Sequence, residues 1–594
     1  MCRIAGLVSN QLNIDQIKSQ VKAMCNALQH GGPDDEGVQE FVNDRMALGH
    51  RRLSIIDLSK NGHQPMADVA QKTWITFNGE IYNYRELRTE LTALGAKFHS
   101  ETDTEVIIQG YLHWGTACFE KLRGMFAFAL YDSAHHAVYL VRDSNGIKPL
   151  YYFIRDGQLA FASEIKAFEA AGLTTAKNKR WPIWLLAFGN IPEPYTTLKD
   201  TFSLPKGSYM CWDKDGGYFI KSYIQQTPKH TITSITEAHD GLHFHLQNAV
   251  KRQLIADAPI GVFLSGGVDS SLLTLLANAQ TQQRLKTISI FFDEKKYDER
   301  SYQLAILNKT ESDNYSHLVK KHDFEECFPQ IMSAMDMPTT DGINSWFISK
   351  YAHDAGLKAV LSGIGADELF GGYPSFNRIS YLRYLRALPA FVFDSAGFLN
   401  TTIYKRLTYL KYAHPAADYL FIRGLNTPVD IANLLDTTEQ EVNNVLFGEN
   451  NFPQLGPYDK LQAAWFETNL YMQNQLLRDT DVMSMSHGLE VRVPFLDEDF
   501  QSFTAQISPE IRFDSTRPKK ILIDTFNSLL PETIWNRPKM GFSFPLEDWM
   551  RGNNSIGDSS QYKGTAAQKL INKFKAGKVH WSRAFALYQI QKYV

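Results

Sequence analysis

Leu264-Ser265-Gly266-Gly267-Val268-Asp269-Ser270-Ser271 lies between two apolar runs of different character. Before it, Pro259-Ile260-Gly261-Val262-Phe263 is short and β-branched, as a buried strand is. After it, Leu272-Leu273-Thr274-Leu275-Leu276-Ala277 reads as a helix with one apolar face. The order is therefore strand, glycine turn, helix start. The two glycines let the backbone approach a ligand closely, and the N–H groups of the helix start, with the Ser265 and Ser270 hydroxyls, favour phosphate oxygens. Asp269 adds a carboxylate beside that phosphate, which suits a Mg²⁺ ion lying between the two. The Gly-Lys-Ser/Thr ending of a Walker A loop is missing. A bare Gly-Gly would be no more than a turn capping a core helix, but the full string with its flanking strand argues for a phosphate site.

Downstream the strand-turn-helix pattern repeats. Lys286–Phe292 and Leu357–Ser362 are further buried-strand candidates, so the core of this half is expected to be a parallel sheet flanked by helices. Ligands on such sheets bind at the carboxyl ends of the strands, where a second glycine motif also falls: Ser362-Gly363-Ile364-Gly365-Ala366-Asp367-Glu368-Leu369-Phe370-Gly371-Gly372-Tyr373. It is not a dinucleotide fingerprint, because Glu368 stands where the third glycine is required. From about Asn377 onward the chain reads as mostly helical. His239, His243 and His245 read better as part of an amphipathic helix entering this half than as metal ligands.

The bulk numbers bound the function class. At 594 residues, 44% hydrophobic and 21% charged, the chain has the composition of an ordinary globular protein with two or more domains. A net charge of −3 gives no reason to expect nucleic acid as a partner. No apolar run approaches a bilayer span and the N-terminus lacks a basic-then-apolar signal, so no membrane span and a cytoplasmic location are expected. The five cysteines, widely spaced and without a Cys-x-x-Cys pair, fit a reducing compartment.

The chain begins Met1-Cys2-Arg3-Ile4-Ala5-Gly6. Removal of Met1 would leave Cys2 with a thiol and a free α-amine on one residue, a nucleophile with its own base. Alone, Cys2 could equally be an early buried cysteine. Further motifs follow in order: His30-Gly31-Gly32-Pro33-Asp34, Gly49-His50-Arg51-Arg52-Leu53-Ser54-Ile55-Ile56-Asp57, Asn78-Gly79-Glu80-Ile81-Tyr82, Thr102-Asp103-Thr104-Glu105, Arg142-Asp143-Ser144-Asn145-Gly146-Ile147-Lys148-Pro149 and Ala162-Ser163-Glu164.

This ordered set resembles the N-terminal-nucleophile glutaminase domain of class II glutamine amidotransferases. The resemblance implies an α+β (αββα) sandwich of antiparallel sheets between helices, and the apolar runs Trp74–Phe77, Met125–Tyr131, Ala137–Val141 and Leu159–Ala162 agree with strands. It implies that Cys2 attacks the glutamine side-chain amide while Asn78 and the Gly79 N–H donate to the oxyanion. Arg52, Leu53, Ser54, Ile55 and Ile56 would line the glutamine site, with Arg52 on the α-carboxylate and Glu80 and Asp103 on the α-ammonium. A free amino acid does need a cation and an anion for its two ends, and acyl transfer needs donors aimed at the oxygen. One departure is Gly31, where the family usually has arginine.

The second half resembles the α/β ATP-pyrophosphatase domain of asparagine synthetases. Further matches are Tyr297-Asp298-Glu299, Ser484-Met485-Ser486-His487-Gly488-Leu489-Glu490-Val491-Arg492-Val493-Pro494 and Arg537-Pro538-Lys539-Met540-Gly541-Phe542. ATP would lie on Leu264, Ser265, Gly266, Gly267, Val268, Asp269 and Ser270, on Ile290, and on Ser362 and Gly363. Asp269 and Asp367 would hold Mg²⁺, and Lys539 would steady charge on the phosphate being transferred.

The resemblance covers nearly the whole chain: a glutaminase domain over 2–212, a linker over 213–235 and a synthetase domain over 236–594. It implies a glutamine-hydrolysing, AMP- and pyrophosphate-forming ligase of carbon and nitrogen, and it is compatible with a homodimer. Aspartate is the first expectation for the acceptor. In the resembled enzymes, however, a glutamate stands where this chain has Ile364, so a different carboxylate, such as a uronic acid of a surface polysaccharide, is the alternative. A binding protein that merely keeps the fold is disfavoured by the complete set of Cys2, Asn78, Asp103, Asp269, Asp367 and Lys539.

Overall fold

A computed structural model describes residues 2–174, 176–224, 230–398, 402–448, 452, 456–514 and 516–593, with the backbone alone at 395–398 and 402–403. The first half is built on two six-stranded antiparallel sheets. One runs Thr201–Ser203, Tyr151–Arg155, Gln158–Ala162, Arg3–Ser9, Met46–Arg52 and Asp35–Phe41. The other runs Tyr218–Ser222, Ser208–Trp212, Ala137–Arg142, Gly124–Asp132, Thr73–Ile81 and Met66–Ala67. Ile4, Leu48 and Phe161 from the first sheet meet Ala127, Ala129 and Leu140 from the second in one buried layer. Helix Ile14–Ala27 covers the outer face of the first sheet, and helices Tyr84–Ala93 and Asp103–Trp114 cover that of the second. The layers are thus helix, sheet, sheet, helix, because each strand alternates between an inter-sheet face and a helix-covered face.

The second half is a five-stranded parallel sheet in the order Ser312–Leu318, Leu285–Phe291, Ile260–Phe263, Ala359–Leu361, Glu490–Arg492. Helix Val268–Gln280 returns over it and buries Leu272, Leu273 and Leu276, each worth about 1.5–3 kcal/mol of burial. Most of the chain beyond Ala366 is helical.

Three features depart from what the sequence pattern suggested. Tyr218–Ser222 lies within the stretch 213–235 read as a linker, yet it is an edge strand paired along Ser208–Trp212. The turn that returns it is closed by Asp213, whose carboxylate accepts from the Asp215 and Gly217 N–H groups at 2.9 and 2.8 Å. All five of its residues are exposed, so no apolar alternation marks it. The remainder of that stretch at 225–229 lies outside the described residues. Ser312–Leu318 is polar because it is the sheet edge. Glu490–Arg492 is a three-residue strand inside an otherwise helical region. His243 and His245 sit on helix Ile235–Gln253, stacked on Phe526 and Phe503 with ring centroids 5.3 and 4.8 Å apart.

Candidate active sites

Cys2, immediately before strand Arg3–Ser9, has Leu53, Arg52 and Glu80 around it, from strands of both antiparallel sheets and the loop after one of them. The residue is 8% exposed, and its thiol donates to the Leu53 carbonyl oxygen at 3.9 Å. Burial pushes the thiol pKa up to about 11, against the pull of the positive chain terminus and of Arg52, so it rests protonated at neutral pH. Arg52 closes strand Met46–Arg52, and its guanidinium donates to the Ser59 and Asp57 carbonyl oxygens at 2.8 and 2.5 Å.

Asn78, on strand Thr73–Ile81, is fully buried, and neither its amide nitrogen nor its amide oxygen has a hydrogen-bond partner among the described residues. Leaving such a group unpaired costs roughly 1–3 kcal/mol, which the fold bears at this position. Gly79 follows because any Cβ there would collide with the Met125 carbonyl oxygen across the strand pair. Asp103 opens helix Asp103–Trp114, behind a Thr102 cap that accepts from the Glu105 N–H, and its carboxylate accepts from the Ile81 N–H at 2.9 Å. Burial raises its pKa to about 6. Glu80 is pushed well above the usual carboxylate range by burial and by Glu490, with Arg492 opposing. Gly31 packs directly on Arg3, whose Cγ would lie 2.7 Å from an added Cβ. The Arg3 guanidinium is buried between Glu164 and Asp481, each at 2.7 Å.

In the second half, both glycine motifs sit at the carboxyl ends of adjacent parallel strands, Ile260–Phe263 and Ala359–Leu361, and open into one cavity of ≈ 840 Å³. The turn is preformed: Ser270 Oγ accepts from the Ser265 N–H at 3.2 Å and lies 2.9 Å from Ser265 Oγ. Gly266 takes φ +88°, and a Cβ on Gly363 would lie 2.9 Å from Asp269 Cβ, so both loops need glycine to come together. Leu264, Ser265, Gly267, Val268, Asp269, Ser270, Ser362 and Gly363 all line the cavity. Gly266 and Ile290 do not; the Gly266 carbonyl oxygen accepts from Arg537, and that of Ile290 accepts from Gln303.

Asp269 and Asp367 are drawn together by Lys519, which the sequence reading passed over. Its Nζ lies 2.5 Å from Asp269 Oδ2 and also pairs with Asp367. Lys539 Nζ is 2.6 Å from Asp367 Oδ1 and 2.8 Å from the Gly372 carbonyl oxygen. Burial works against ionisation of Asp367, but Lys519 and Lys539 outweigh it and hold its pKa below the usual value. For Asp269, burial prevails and the pKa is raised. Its Oδ1 is buried with no hydrogen-bond partner among the described residues.

At the far end of the cavity, Arg423 holds Glu467 through two contacts of 2.8 Å and stacks over Tyr471, 3.7 Å from the ring centre. Glu368 accepts from the Tyr373 hydroxyl at 2.8 Å, and burial with Asp367 nearby raises its pKa to about 7.

Glu490 and Arg492 join the two regions, and they too were missed as functional residues, although the charges in Leu-Glu-Val-Arg-Val-Pro mark an apolar run with a polar purpose. Arg492 is fully buried, 2.5 Å from Glu490 and 3.3 Å from Glu80. It also donates to the Gln253 and Ile255 carbonyl oxygens at 2.8 and 2.6 Å. Its own carbonyl oxygen accepts from the Ser362 N–H at 2.8 Å. One short strand thus touches the Cys2 region with its side chains and the cavity with its backbone.

Residues 242–572 match the asparagine synthase family model, and residues 1–224 match the glutamine amidotransferase domain model. The chain belongs to the asparagine synthase family. It is 31% identical over 579 residues to asparagine synthetase [glutamine-hydrolyzing] 1 of Bacillus subtilis, covering 93% of this chain and 88% of that one. It is 27% identical over 630 residues to amidase chry2 of Gibberella zeae, covering 93% and 90%. A solved structure, the glutamine phosphoribosylpyrophosphate amidotransferase of B. subtilis with ADP and GMP, matches at 13% identity with a TM-score of 0.30, over 53% of this chain and 81% of that one. As a member of the asparagine synthase family the protein is a ligase, a glutamine-dependent amidotransferase of the asparagine synthase type.

Proposed function

We propose that the protein hydrolyses glutamine at Cys2 and uses the ammonia to amidate a hydroxyl-rich carboxylate activated by AMP, with a uronic acid as the acceptor class. A thiol held neutral by burial must lose its proton as it attacks, and the α-amine that removal of Met1 would leave on Cys2 would take it. Unpaired Asn78 and the Gly79 N–H supply donors for the oxyanion without first breaking other side-chain bonds of Asn78. Arg52 takes the glutamine α-carboxylate, Glu80 and Asp103 its α-ammonium, and Leu53 to Ile56 form the wall.

ATP lies along the 264–270 turn and Ser362-Gly363. The unpartnered Asp269 Oδ1, with Asp367 across the loop, fits a Mg²⁺ ion held by two carboxylates and completed by substrate phosphates. Such an ion would neutralise phosphate charge. Lys539 would exchange Asp367 for the phosphate being transferred. The acceptor carboxylate then attacks the α-phosphorus, pyrophosphate leaves, and ammonia displaces AMP from the acyl-adenylate to give the amide.

The observation that carries the acceptor reading is the charge balance of the cavity wall. Its five Lys and Arg residues each have a carboxylate partner: Arg423 with Glu467, Arg517 with Asp524, Lys519 with Asp269 and Asp367, Arg537 with Glu299, and Lys539 with Asp367. Asp341 and Glu368 line the same wall with no ion-pair partner among the described residues, and Ile364 lines it too. A second carboxylate, such as the α-carboxylate of aspartate, would have to displace one of these partners, as the nucleotide phosphate does at Lys539. Hydroxyl groups, by contrast, find acceptors in Asp341 and Glu368 without displacing any ion pair. Aspartate remains the second reading, favoured by the name of the B. subtilis relative.

The test is pyrophosphate release from Mg-ATP and glutamine, with L-aspartate set against a panel of hexuronic acids. Release with a uronic acid and not with aspartate is expected. Release with aspartate, with asparagine as product, would overturn the acceptor reading while leaving the ligase chemistry intact.

A further inference from the structure

Residues 373–412 carry six basic side chains and one acidic one, Asp394, in a chain whose net charge is −3. Arg386 and Lys411 are neutralised by Asp418 and Glu439. Arg378, Arg383, Lys405 and Arg406 have no carboxylate partner among the described residues. The same segment exposes large apolar side chains: Tyr381 at 60%, Tyr384 at 72%, Phe391 at 73% and Tyr404 at 58%, with Leu388 and Val392 also on the surface. Helix Ser375–Leu385 buries only Ser375, Phe376, Ile379 and Leu382 against the body. Its other side carries Arg378, Tyr381, Arg383 and Tyr384, and the 3₁₀ stretch that follows adds Phe391.

Tyrosine and arginine side by side on one outward face suit a boundary between water and lipid, where rings enter the headgroup layer and guanidinium groups meet phosphate. A second copy of the chain fits less well, since an isologous contact would set these unpaired cations against themselves. No helix among the described residues is long and apolar enough to cross a membrane, so any association is at the surface.

We propose that the face formed by Tyr381, Tyr384, Leu388 and Phe391, flanked by Arg378 and Arg383, docks on an anionic lipid bilayer. The face begins where the cavity wall ends, because Tyr373 and Pro374 line the cavity and helix Ser375–Leu385 follows them directly. An acceptor held at a membrane surface would therefore be presented beside the cavity. Docking itself does not depend on which carboxylate is amidated.

The experiment is co-sedimentation of the full chain with phosphatidylcholine vesicles, with and without phosphatidylglycerol, at low and high salt. The protein is expected to pellet with the anionic vesicles, to remain in solution with phosphatidylcholine alone, and to be released by salt. Tyr381→Ser/Tyr384→Ser/Phe391→Ser and Arg378→Glu/Arg383→Glu should each lower the partition at least about tenfold. Glutamate release from glutamine, measured alongside, should stay at the unaltered level and so report that both variants are folded. No binding by the unaltered protein, or equal binding by both variants, would overturn the proposal. So would a concentration-dependent dimer in sedimentation velocity that the aromatic variant dissolves, since the face would then be a contact between copies.

Discussion

The Cys2 region and the nucleotide cavity treat their polar groups in opposite ways. Around Cys2, burial dominates: Asn78 has no partner among the described residues, Asp103 is raised to about 6, and the thiol is raised to about 11. In the cavity, ion pairing dominates: Lys519 and Lys539 are committed to Asp269 and Asp367. The difference teaches that the first site is set in advance for a neutral amide substrate, whereas the second is compensated internally and must exchange partners when a polyanion binds. The first arrangement costs stability and keeps its donors uncommitted. The second costs little but ties chemistry to the arrival of the nucleotide.

The strongest way to break this comparison is to remove the nucleophile. Cys2→Ala should reduce glutamate release by at least about 10³-fold, while pyrophosphate release supported by added ammonia persists. Loss of both activities would mean that the two sites are one unit.

Asn78→Ala sharpens the contrast. Glutaminase turnover should fall about 10²–10³-fold, yet melting temperature should stay level or rise, because a buried amide without partners is being deleted. A large loss of stability would show that Asn78 is structural. The cavity counterpart, Lys539→Ala, should cut acceptor-dependent pyrophosphate release by about 10²-fold and leave glutamate release unchanged, as the two assays run on one preparation would reveal.

Arg492→Leu probes the strand that touches both regions. It leaves Glu490 and Glu80 buried without their cation, so denaturant unfolding should show a loss of about 3–5 kcal/mol. The KM for glutamine should also rise, because Glu80 loses the group that steadies it.

The smallest effect is acid sensitivity. Burial holds His50 down at about 3 and His487 at about 4, both below an unfolded value near 6.5. Lowered folded values mean that the unfolded chain takes up protons first. Their contribution is therefore intact above about pH 6.5 and declines as pH falls toward 4, by up to about 1.4 kcal/mol per pH unit for each histidine. His50→Gln should flatten the pH dependence of melting on the acid side; an unchanged slope would remove His50 from the account.

Much of this was legible in the sequence. Val262 and Leu264 beside Gly266-Gly267 marked the strand and turn, because the positive φ at Gly266 favours glycine, and the alternating runs marked the antiparallel strands. What stayed hidden has a common physical origin. Tyr218–Ser222 and Ser312–Leu318 are edge strands whose exposed residues carry no period. Lys519 pairs with Asp269 and Asp367, and Arg492 with Glu80, all far away along the chain, and spacing does not encode such contacts. The charge balance of the cavity could not be read either, since it depends on which of Glu467, Glu299 and Asp524 reach the wall.

The measurement that tests the central claim most directly is transfer of ¹⁵N from the amide of labelled glutamine, with L-aspartate and a hexuronic acid competing in one Mg-ATP reaction. The account predicts label in the uronamide and no asparagine, with the uronamide unlabelled when Cys2→Ala is supplied with unlabelled ammonia. Label in asparagine would contradict the reading of Asp341, Glu368 and Ile364 as a wall built for a hydroxylated acceptor.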